Sequence, residues 1–78
     1  MNLTQMKQGQ SGKIVEVCGG TGVTGRLDAM GLRTGKQIFK VSHSFLRGPV
    51  TIRVESTQLS LGFGMASKVI VVLEEPSE

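Results

Sequence analysis

The cleanest hydrophobic pattern in the chain is the alternation of Val50, Ile52 and Val54 with Thr51, Arg53 and Glu55. A period of two puts the apolar members on one face, so residues 50–55 predict a half-buried strand. A different period governs Val23, Arg26, Leu27 and Met30, which fall at i, i+3, i+4 and i+7. That spacing predicts one face of a short helix, with the aliphatic stem of Arg26 laid over the same surface. Gly31 stands where a helix C-terminus takes a left-handed residue, and Leu32 is placed to fold back as the apolar contact of that cap. About two turns of helix are unstable alone, so this one depends on packing.

The remaining pattern is strand-like. Residues 12–18 read as a strand, although Ile14 and Val17 cannot share a face without a bulge or strong twist. Residues 36–43 give a second strand with Ile38, Phe39 and Val41 as its apolar members, followed by a hairpin loop over 42–49. Pro49 suits the first position of the next strand. Leu59 and Leu61 mark a fourth strand, and Val69 to Leu73 a β-branched fifth. Between them, residues 62–67 predict a tight turn or single helical turn, with Met65 and Ala66 tucked beneath. Leu3 and Met6, three apart, predict an entry turn capped by the Thr4 hydroxyl and ended by Gly9. Five short strands with turn signals every eight to twelve residues predict a mainly β fold. The architecture expected is a small SH3-like barrel of about five strands, with one short α-helix between strands one and two.

At 78 residues the chain predicts one domain over 1–73 and an acidic tail over 74–78. Three of the six acids, Glu74, Glu75 and Glu78, lie in that tail. The body therefore carries nine Lys and Arg against Glu16, Asp28 and Glu55, a net +6. Such a balance suits an acidic protein, nucleic acid or an anionic surface, although ordinary solubility charge accounts for it equally. Cys18 is the single cysteine, which excludes a disulfide framework. The longest apolar run, Val69 to Leu73, is too short to span a bilayer, and no signal-peptide pattern is present. A cytoplasmic location is expected.

Gly20-Thr21-Gly22-Val23-Thr24-Gly25 spells G-x-G-x-x-G between a strand and a helix. The helix is too short and no acid follows near position 42, so dinucleotide binding is set aside and the glycines read as turn formers. Cys18, Met30, His43, Met65 and Asp28 are available as metal ligands, but no pair has ligand spacing. Hence no cofactor and no metal site is expected; ferrous iron stays open but ligand spacing within one chain does not support it, and two chains could combine ligands. A Cys–His pair without an orienting third group does not predict an enzyme. Without Trp or Tyr the chain lacks the aromatic groove that binds polyproline and the platforms that stack bases. No specific nucleic-acid binding is expected. What remains is a set of large apolar residues in connecting segments. Phe45 and Leu46 lie in the hairpin loop, Phe63 and Met65 stand among glycines, and Leu27, Met30 and Leu32 flank the helix end. Singly these close barrel ends. Together, Leu27, Met30, Leu32, Phe45 and Leu46 with Arg26, Arg33 and Arg47 around them make a candidate partner surface, apolar at its centre and Arg-rimmed.

The motifs Leu3-x-x-Met6-x-x-Gly9, Gly19-Gly20, Arg26-Leu27-x-x-Met30-Gly31-Leu32-x-x-Gly35, Gly48-Pro49 and Leu61 through Ala66-x-x-Val69-x-Val71 resemble the FeoA domain, ferrous iron transport protein A. The resemblance covers residues 1–73, and the segment around Met30-Gly31-Leu32 is its most specific part. It implies an SH3-like fold, also similar to the C-terminal domain of some metal-dependent repressors. It implies a non-enzymatic cytoplasmic accessory that docks onto the cytoplasmic part of the FeoB iron permease and meets the membrane only through it. The alternative is an SH3-like sensing or regulatory domain that binds a divalent transition metal directly. The oligomeric state, a homo-oligomer included, is left open.

Overall fold

The computed structural model describes residues 1–42 and 48–74. Five strands form: β1 (Ser11–Val17), β2 (Gln37–Ser42), β3 (Val50–Val54), β4 (Thr57–Leu61) and β5 (Val69–Glu74). They make one antiparallel sheet in the order β4-β3-β2-β1-β5. One helix, α1 (Thr21–Ala29), lies between β1 and β2, and a single turn, α2 (Phe63–Ala66), joins β4 to β5.

The alternation at β3 is realised as expected, with Val50, Ile52 and Val54 buried and Arg53 exposed. The conflict between Ile14 and Val17 is resolved by a bulge: the β1–β5 register shifts between Ile14 and Glu16. Ile14 stays in the core, Val17 packs against its edge, and Val15 is turned out, 44% exposed. The core gathers the inward residues of the strands. Leu3 and Met6 from the N-terminus, Leu27 and Leu32 from the helical segment, and Ala66 from α2 close it.

Two expectations are corrected, and β2 adds a feature of its own. The entry turn, a 3-10 helix over Leu3–Gln5, is capped by Asn2 rather than Thr4. The Asn2 side chain accepts from the Thr4 amide at 2.9 Å, and the Gln5 side chain accepts from the Asn2 amide at 2.9 Å, a reciprocal box that a hydroxyl inside the turn cannot form. Glu74 is the last residue of β5, opposite Ser11, and its carboxylate accepts from the Gln37 amide group, so it belongs to the sheet rather than a tail. In β2 the inward positions are Ile38 and Lys40, while Phe39 points out under the Arg53 guanidinium, 5.7 Å from the ring centroid. Lys40 is wholly buried, and its Nζ donates to the carbonyls of Leu3 at 2.7 Å and Met6 at 2.9 Å. The lysine thus fastens the N-terminal turn to the sheet.

Candidate interaction site

The helix C-terminus is fixed by backbone chemistry. Gly31 adopts a φ of +87°. The Leu32 amide donates to the Leu27 carbonyl at 2.8 Å and the Gly31 amide to that of Asp28 at 2.9 Å. This is a Schellman cap, and its apolar contact is the buried pair Leu27 and Leu32. At the other end, Gly19 has a φ of +111°, and a Cβ there would meet that of Val23 at 3.1 Å. By contrast Gly20, Gly22 and Gly25 face open space. The tight entry into α1 therefore rests on Gly19, and the G-x-G-x-x-G spacing does not shape it.

Of the candidate partner residues, Leu27 and Leu32 are core residues with no surface to offer, because the cap seals them against each other. Arg26 is exposed. Met30 is half-buried, packed against the edge of the core. Arg33 is exposed yet held: its Nε lies 3.0 Å from Asp28 Oδ1 and its Nη2 3.5 Å from the Asp28 carbonyl. Phe45, Leu46 and Arg47 lie outside the described residues. Lys36 and Glu55 stand at the helix end.

Arg33 sits between two concavities. One is a groove of about 520 Å³ between β1 and α1, lined by Val15, Val17, Thr21, Thr24 and Asp28. The other is a niche of about 210 Å³ lined by Met30, Gly31, Lys36, Val54, Glu55 and Thr57. Lys36 pairs with the Glu55 carboxylate, which that bond and its charge hold below the usual range, with a smaller contribution from Arg33. Glu55 itself takes a φ of +57° in the two-residue turn between β3 and β4, an uncommon conformation for a residue with a side chain. The site thus consists of Val15, Met30, Arg33, Lys36 and Glu55 around the helix end. Sequence reasoning missed Val15, Lys36 and Glu55. The broken alternation of β1 signalled a bulge but not which residue it would expose, and no local pattern announces the Lys36–Glu55 pairing across the hairpin.

The other candidates scatter. Cys18 is exposed, with its Sγ 3.7 Å from Glu16 Oε2, and Met30 and Met65 are half-buried at different places. Among the described residues no three of His, Cys, Asp and Glu gather as a metal site would require, and His43 lies outside them. Among them, too, no helix is long and apolar enough to cross a membrane.

The family model for the FeoA domain matches residues 1–73. A crystal structure of an iron uptake regulatory protein (FeoA) superposes with a TM-score of 0.88 at 31% identity, over 95% of this chain and 97% of that one. The zinc complex of Stenotrophomonas maltophilia FeoA, described as an SH3 domain protein and put forward as a ferrous iron transport activating factor, gives 0.79 at 21% identity, over 92% and 89%. A manganese-dependent transcriptional repressor shares the fold at a TM-score of 0.87 and 15% identity, over 95% of this chain and 41% of that one. No curated protein matches.

Proposed function

The chain belongs to the FeoA domain family, and on that premise we propose that it serves ferrous iron uptake as a non-enzymatic accessory protein. It docks onto the cytoplasmic part of a FeoB-type permease, and the surface around the end of α1 makes the contact. The observation that carries this reading is the placement of Arg33, pinned by Asp28 between two concavities with exposed Val15 on one side and half-buried Met30 on the other. A pre-positioned arginine beside walls that are partly apolar, through Val15 and Met30, loses little side-chain freedom on binding, which is how interface anchors work. Arg26 extends this surface. Phe45, Leu46 and Arg47, known here from the sequence, are proposed as further contacts.

The test is titration calorimetry between this protein and the purified cytoplasmic nucleotide-binding part of the permease, with and without guanine nucleotide. Saturable binding that weakens in Arg33→Glu and Val15→Asp supports the reading. Absence of binding in every nucleotide state removes it.

A second reading, direct divalent-metal binding, is favoured by the zinc-bound relative. Equilibrium dialysis of the isolated chain with ferrous iron or zinc separates the two, because the docking reading needs no stoichiometric metal.

A further inference from the structure

The sheet has two edges, and the chain treats them differently. The outer edge of β5 is covered by the N-terminus: the Val71 amide donates to the Met1 carbonyl at 2.7 Å, and Asn2 bridges Ile70. The outer edge of β4 makes no backbone bond among the described residues. Natural edges are usually blunted by charge, proline or a bulge. β4 has none of these. Its sequence is Thr57-Gln58-Leu59-Ser60-Leu61, and its five pairs with β3 run without a register shift.

We infer that β4 is a self-association edge, where a second copy of this chain adds its own β4 antiparallel to extend the sheet. A two-fold axis through Leu59 pairs Leu59 with its counterpart, Gln58 with Ser60, and Thr57 with Leu61. Faces match under that operation, because Thr57, Leu59 and Leu61 share one side of the strand and return to the same side in the partner. Leu59 is only half-buried in the single chain and lies on the axis, so pairing completes its burial. No charge on the strand opposes its like, and none is present to select an acidic or basic stranger. Beyond Leu61, Gly62 has open space where a side chain would stand, so a neighbouring backbone can approach. One strand pair buries less than a stable interface needs, so the dimer is weak, with a Kd on the order of 100 μM.

Sedimentation equilibrium from about 10 μM to about 1 mM, with amide exchange at both limits, tests this. The expected result is a concentration-dependent dimer with added protection confined to residues 57–61. Gln58→Lys with Ser60→Lys sets like charges opposite one another twice and should weaken the dimer about tenfold. Gln58→Glu with Ser60→Lys sets opposite charges there and should tighten it relative to that variant. A monomer throughout, protection elsewhere, or a dimer indifferent to both pairs of substitutions overturns the inference. Failure here is distinguishable from failure of the docking reading, because Gln58 and Ser60 line neither concavity beside Arg33, although Thr57 borders the smaller one.

Discussion

Lys40→Met replaces the buried ammonium with an apolar chain of similar reach. The carbonyls of Leu3 and Met6, which Nζ serves at 2.7 and 2.9 Å, then lose their donor in a space closed to water. A buried acceptor left unpaired costs about 1–3 kcal/mol. Against that, the substitution removes a charge whose burial is itself unfavourable, as the lowered pKa of Lys40 records. The balance is a loss of roughly 2 kcal/mol, or about 10 °C in Tm for a domain of this size. Urea and thermal unfolding measure the global effect. Amide exchange at Val71 and Gln5, whose hydrogen bonds end on Met1 and Asn2, measures release of the N-terminal turn. The pH dependence adds a second test. Because burial lowers the folded pKa below 10.5, the unfolded chain holds the proton more tightly, and stability rises with pH through the alkaline range toward 10.5. As pH falls through the folded pKa that gain is lost. Lys40→Met should lack this slope. A variant as stable as the parent at neutral pH, with Val71 and Gln5 still protected, refutes the argument.

Gly31→Ala meets no clash but is strained at φ +87°, and should cost about 1 kcal/mol in chemical unfolding. Gly19→Ala combines a φ of +111° with a close approach to Val23 and should cost more, with helix amides 21–24 losing protection. Leu27→Asp buries a charge in the core and should unfold the chain by circular dichroism, whereas Leu46→Asp should leave folding intact and weaken permease binding. In Lys36→Met the Glu55 carboxyl should titrate closer to its ordinary 4.5, read by carbon NMR, because its main stabilising partner is gone.

Much of this architecture is legible in the sequence because local and tertiary demands agree. β3 alternates cleanly since one of its faces is core and the other solvent. Gly31-Leu32 announces its cap because a left-handed residue and its apolar follower have few other uses. Legibility fails where a side chain acts against type. Lys40 reads as a surface residue, and only the N-terminal turn arriving from 34 to 37 positions away supplies the carbonyls that tolerate it inside. Phe39 is apolar, yet the pleat turns that position outward. At the site, Leu27 and Leu32 share the apolar character of Met30, and sequence alone could not separate the two that the cap seals from the one left at the rim. The pairing of Arg33 with Asp28 is local in sequence, but its position between two concavities depends on where β1 bulges and where β3 turns.

The docking claim turns most directly on the affinity of Arg33→Glu for the permease's cytoplasmic part, measured by calorimetry beside the parent protein. With the charge reversed at the proposed contact, the account predicts at least about tenfold weaker binding with the fold and Tm preserved. Equal affinity in the folded variant would contradict it.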